Sequence, residues 1–310
     1  MMYMKSIMKH LIRIASGTIT VGILSWWLLS AWREISKLNF EPRWGFLCVS
    51  FIVYSLSFLL TVIVWIDILK SLGITDNWTT HIKSLSYSAL GRRLPGTIWY
   101  VGIRSKIYGS KANFQTIVAA STIEMAVIVI SSLPCSAFIL LNYHVIAGRN
   151  SIPNYLLGLL PLVLSIIILN QKVLSFLLKK LGVKEIHLSN KKILKWVVLY
   201  CIEWIFVGLL LFSITNIFTS VSVSNILFFI GCVAFTGLLS RALLFLPSNF
   251  GFTELTIGSL LSLVIIPFWA PVIAISNRAI IVTFELIWGF GIYLFERIAP
   301  KKYSTPFGLL

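Results

Sequence analysis

The chain has 310 residues, 58% of them hydrophobic and 12% charged, and a formal net charge of +16. With a mean hydropathy of +0.92, it is excluded from the class of ordinary soluble globules. The basic charge invites a nucleic-acid partner, but no basic domain stands apart from the apolar runs, so that partner is set aside.

In chain order, the first apolar run covers residues 11–32 and follows Lys5 and Lys9. It is too long for a signal peptide and lacks a small-x-small cleavage site, so it reads as a retained helix. A second span is predicted at 44–69, after which comes the polar connection 70–83. Residues 84–101 are apolar but carry Arg92, Arg93 and the pair Pro95-Gly96. Proline removes a backbone donor and clashes with the preceding turn, so this segment is expected to be re-entrant or interfacial rather than a plain span. Spans follow at 115–141 and 153–169.

Within 170–192, Val173, Phe176, Leu177 and Leu181 recur at helical spacing among Lys172, Lys179 and Lys180, the pattern of an amphipathic surface helix. The remaining spans are predicted at 193–214, 225–246, 250–266 and 271–295. A second break, Pro247-Ser248-Asn249-Phe250-Gly251, separates two of them. The expectation is one all-α, polytopic integral membrane domain over residues 1–310. It has about eight spans plus broken or re-entrant helices.

Lysine and arginine are distributed unevenly along that path. If the amino terminus is cytoplasmic, twenty of the 26 fall inside and four outside, Arg33, Lys37, Arg43 and Arg149. Such a positive-inside bias predicts both termini, 70–111 and 172–195 to be cytoplasmic. It also accounts for most of the basicity, together with attraction to anionic lipid.

Asp67, Glu124, Glu203, Glu254, Glu285, Arg241 and Arg278 fall within or at the ends of predicted spans. Each costs roughly 2.5–3.5 kcal/mol at a helix centre, so seven of them point to pairing or to a polar cavity. Arg278 and Glu285 are two turns apart on one helix face. Glu254 and Glu285 are expected to share a partly wet cavity near the second break. The two breaks lie 152 residues apart, each with an arginine before its proline, Arg93 and Arg241. Opposed interrupted segments are the mark of an inverted repeat. Two Leu-Pro pairs among ten prolines are also compatible with coincidence, and both readings stand at this point.

Enzyme signatures are sparse. The sequence has no Gly-rich phosphate loop, no His-Glu-x-x-His, no Gly-x-Ser-x-Gly and no Asp-x-Asp. Cys48, Cys135, Cys201 and Cys232 sit singly in apolar runs, so neither a metal site nor another cofactor is expected. An integral enzyme acting on lipid head groups remains a minor alternative.

Two patterns resemble the transmembrane, flippase-like region of the lysylphosphatidylglycerol synthase superfamily. One is Pro95-Gly96-Thr97-Ile98-Trp99 leading to Arg104, with Glu124 early in the next span. The other is Pro247 to Gly251 to Glu254, followed by a span with Arg278 near its start. Together they cover about 84–295. Thr253 stands where the family commonly has arginine, and the chain ends at Leu310 without the aminoacyl-transfer domain, so lysyl transfer is not inherited.

The resemblance implies translocation of an amphiphile with an anionic head group, a phospholipid or a polyprenyl-phosphate-linked sugar, in envelope or surface-polysaccharide assembly. The setting would be a bacterial cytoplasmic membrane, with other envelope-biosynthesis proteins as partners. Arg92, Arg93 and Arg104 would draw the phosphate in, Arg241 and Arg278 would receive it, and Glu124, Glu254 and Glu285 would hold the arginines or exchange protons. The alternative is a non-transporting scaffold for an envelope glycosyltransferase.

Overall fold

The computed structural model describes residues 41–93, 98–141, 189–242 and 251–298, with isolated positions near the amino terminus. Eight α-helices and no strand are present among the described residues. They are α1 Gly45–Ser71, α2 Trp78–Gly91, α3 Ile98–Tyr108, α4 Phe114–Leu141, α5 Asn190–Phe218, α6 Ile226–Ala242, α7 Phe252–Leu261 and α8 Trp269–Ile298. The chain is an all-helical bundle. Among the described residues, five helices are long and apolar enough to cross a membrane, namely α1, α4, α5, α6 and α8.

These five correspond to the expected spans at 44–69, 115–141, 193–214, 225–246 and 271–295. The expected spans at 11–32 and 153–169, and the amphipathic stretch at 170–192, lie outside the described residues. The expectation at 250–266 is corrected: α7 has only ten residues, roughly 15 Å of helix against a hydrocarbon core of about 30 Å. Its start is delayed to Gly251, whose φ of 85° only glycine adopts without strain. After Leu261 the chain tightens into turns, with the N–H groups of Leu263 and Val264 bonded to Leu260 and Leu261, and Pro267 prevents a helix from resuming at once. The segment 84–101 is likewise no plain span. It is divided between α2 and α3, which pack against each other, and neither is long enough to cross alone.

Local signals explain the other boundaries. Gly73 (φ 80°) closes α1 in a Schellman motif, with Ile74 N–H bonded to Leu69 O at 3.0 Å and Gly73 N–H to Lys70 O at 3.2 Å. Ser189 opens α5 by accepting the N–H of Lys192. Glu254 reaches back to the N–H of Gly251 at 2.7 Å, satisfying one orphan donor at the start of α7.

Packing joins the elements across large sequence distances. Helices α1 and α5 run antiparallel. Arg43 N–H bonds Ile217 O at one end, and Lys195 and Trp196 both reach Asp67 at the other. Helix α6 lies against α4 and α5 at two glycines. A Cβ at Gly208 would stand 2.6 Å from the Ile230 backbone, and one at Gly231 would stand 2.6 Å from that of Ile139. Small residues permit such close helix approach in membrane bundles. Helix α8 crosses α2 and α7. One core gathers Trp65, Tyr108, Trp196 and Tyr200, and a second gathers Trp204, Phe228, Phe229 and Trp269.

Candidate functional site: embedded charges at two helix breaks

The helix breaks bring charged side chains into the bundle. Pro95, Gly96 and Pro247 lie outside the described residues, but the arginines and glutamates nominated around them are described. They form three ion pairs and one cluster without an ion pair.

The most deeply buried pair joins α3 to α4. Arg104 Nη1 bonds Glu124 Oε2 at 2.6 Å, and the arginine has no exposed surface. Its guanidinium lies over Trp65 at 4.0 Å and Tyr100 at 4.8 Å, while Nε donates to Ser88 at 3.2 Å. Tyr200 donates to the other oxygen of Glu124 at 3.3 Å. Arg104, expected to draw in a phosphate at the cytoplasmic mouth, is enclosed by protein. Its charge is met by Glu124 and its flat faces by aromatic rings, so this cation ties α3 to α1, α2 and α4.

The second pair joins the end of α2 to α8. Arg93 holds Glu285 through two bonds, Nε to Oε2 at 3.0 Å and Nη2 to Oε1 at 2.6 Å. Such fork-to-carboxylate geometry is specific as well as strong. About a third of the Arg93 side chain stays exposed. The third pair joins α7 to α8, where Arg278 Nη1 meets Glu254 Oε1 at 2.5 Å while Oε2 holds the Gly251 N–H.

Glu254 and Glu285 thus turn into the bundle, and each meets an arginine. They engage different arginines along α8, and the apolar groove lined by Ile287, Trp288 and Gly291 includes neither carboxylate.

Arg92 and Arg241 differ from the three arginines just described. Neither forms an ion pair among the described residues. Arg92 lies over the ring of Tyr100 at 5.6 Å, and Arg241 donates to Gly237 O at 2.9 Å and lies over Trp204 at 5.7 Å. They are close enough to repel each other, and Glu203 and Glu124 fall within the same field. Glu203 accepts only a long bond, 3.5 Å, from Thr61.

Sequence reasoning flagged Glu203 as embedded but left it out of the site. The available signal was a lone acid inside a 29-residue apolar helix. The aromatic partners Trp65, Tyr100 and Trp204 carried no distinguishing signal, since aromatic residues recur throughout the spans.

Among the described residues no group of three His, Cys, Asp or Glu side chains is placed to hold a metal ion. Comparison of the chain with protein-family models and with curated proteins returned no match. The resemblance to the lysylphosphatidylglycerol synthase membrane region is accordingly carried by its motifs alone.

Proposed function

We propose that this protein moves an amphiphile with an anionic head group, a phospholipid or a polyprenyl-phosphate-linked sugar, between the leaflets of a bacterial cytoplasmic membrane. The anionic group sits at Arg92 and Arg241. The observation that carries this reading is the division among the arginines. Arg93, Arg104 and Arg278 each have a carboxylate, whereas Arg92 and Arg241 lie in each other's field with no ion pair among the described residues. Two like charges held near each other repel. A phosphate bridging them relieves that repulsion and takes up their planar donors bidentately. Glu203 stands beside this seat as the carboxylate that competes with the ligand.

The helix order supports a transporter. The starts of α1, α2, α3 and α4 precede those of α5, α6, α7 and α8 by 145, 148, 154 and 155 residues. Each half runs long, shorter, short, long, with the break between its second and third helices. The matched pair α1 and α5 is antiparallel, as an inverted repeat about an axis in the membrane plane requires. Charges follow the same relation: Arg104–Glu124 joins α3 to α4, and Glu254–Arg278 joins α7 to α8 with the signs exchanged. Arg241 holds the place in the second half that Arg93 holds in the first. Arg93 is neutralised by Glu285, and Arg241 is left for the ligand.

The non-transporting scaffold draws its support from the three locked pairs, which pin helices without needing a ligand. Reconstituted vesicles separate the two readings. Arg241→Gln and Arg92→Gln should stop the movement of a fluorescent anionic lipid while leaving the melting temperature near that of the parent. No movement by the parent protein with any anionic lipid, or full movement by both variants, would defeat the anion seat.

A further inference from the structure

A groove of about 380 Å³ runs along the junction of α2 and α8. Its walls are apolar stripes at i, i+4 spacing: Trp78 and Ile82 on α2, and Ile287, Gly291 and Phe295 on α8, with Phe51 of α1 beside them. Residues four apart share one helix face, so each stripe is continuous. Trp78, Ile287 and Phe295 are about half exposed, which leaves the groove open along its side. At roughly 30 Å³ per small group it has room for on the order of a dozen methylenes, enough for a hydrocarbon chain.

Gly291 is the second observation. Glycine in a helix is less favourable than alanine, because it loses more backbone freedom on folding. Gly208 and Gly231 answer that cost with close helix contact, but a Cβ at Gly291 would meet nothing within 4 Å. Packing within the described bundle therefore does not require glycine at this point, and the missing side chain leaves space in the groove.

The end of the groove at Phe295 carries charge. Glu296 is bound by Lys83 at 2.7 Å. Exposed Arg297 lies over Tyr293 at 5.0 Å, with no ion pair among the described residues. The opposite end, at Ile287, approaches Glu285 and Arg93.

We propose that this groove holds one acyl chain of an anionic glycerophospholipid, with the head group over Arg297 and the chain directed along α8. A bound lipid of this kind needs no transport, so the inference goes beyond the seat at Arg92 and Arg241 and stands without it.

The test uses the full chain in vesicles of phosphatidylcholine with a minor fraction of phosphatidylglycerol bearing a diazirine within one acyl chain. Labelled peptides are mapped by mass spectrometry. Labelling should concentrate on α2 around Ile82 and on α8 from Ile287 to Phe295. Unlabelled phosphatidylglycerol should compete better than phosphatidylcholine. Gly291→Trp should reduce labelling in the groove several-fold or more, because the indole fills the space that the chain would take and removes its packing contacts. Gly291→Leu serves the same purpose if the larger side chain prevents folding. Arg297→Gln should retain the labelling and lose the preference for the anionic lipid.

Even labelling of all outward-facing helices would overturn the proposal, as would labelling unaffected by either Gly291 variant. A cross-link placing another segment of this chain in the groove would overturn it too. Failure of lipid movement with groove labelling intact would count against the transporter alone.

Discussion

Arg104→Gln removes the cation from the most deeply buried ion pair and leaves Glu124 in place. Of the contacts to that carboxylate, the Tyr200 hydroxyl at 3.3 Å survives. The stacking of the guanidinium between Trp65 and Tyr100 is lost as well. Breaking a buried pair from one side costs about 3–5 kcal/mol, because the remaining charge is uncompensated. That is a large share of a typical total of roughly 5–15 kcal/mol. At about 2–4 °C per kcal/mol for a large domain, the melting temperature should fall by roughly 6–20 °C. Thermal unfolding in reconstituted lipid particles, followed by tryptophan fluorescence, measures the change, and lipid movement is assayed on the same preparation. The double substitution Arg104→Met with Glu124→Met removes both charges and should recover more than half of the loss, so the two single effects should be strongly non-additive. A melting temperature within about 2 °C of the parent, combined with abolished lipid movement, would refute the reasoning and return Arg104 to contact with the ligand.

Other perturbations test other parts of the bundle. Gly208→Ala should destabilise by about 1–3 kcal/mol, because its Cβ meets the Ile230 backbone rather than a side chain able to move; Gly291→Ala should be neutral or slightly stabilising in the same thermal assay. Burial would raise the pKa of Asp76, but Lys111, the Asn77 N–H and Thr80 outweigh it and hold the carboxyl below its ordinary value of 3.8. Its contribution to stability is therefore present above that value and lost as the pH falls through the lower folded one, so the stability gap between the parent and Asp76→Asn should close in acid. Because Lys111 is nearly half exposed, that gap should be small and should shrink with salt. Reporter fusions after Lys111 and Leu310 should both give cytoplasmic signals, and an extracellular signal at either would break the proposed topology.

Membrane class and the five long helices were legible in the sequence, because an apolar run of sufficient length has few other fates in water or lipid. Local chemistry also marked where α2 and α6 stop, since the prolines at 95 and 247 cannot continue a helix and the arginines beside them cannot rest against hydrocarbon. The short reach of α7 was hidden: 250–266 is mostly apolar around Glu254, and whether such a run spans depends on the left-handed turn at Gly251 and the turns before Pro267.

The charges show most clearly where sequence reading ends. Composition and position nominated Arg92, Arg93, Arg104, Arg241 and Arg278 as equals. Which of them is neutralised depends on helix rotation and on contacts such as Arg93 with Glu285, 192 residues apart. A one-residue change in helix rotation moves a side chain by about 100°, so partners over such distances are chosen by packing alone. Sequence determined that charge enters the bundle at two breaks. Tertiary structure decided that three arginines are locked to carboxylates, and that Arg92 and Arg241 have no such partner among the described residues.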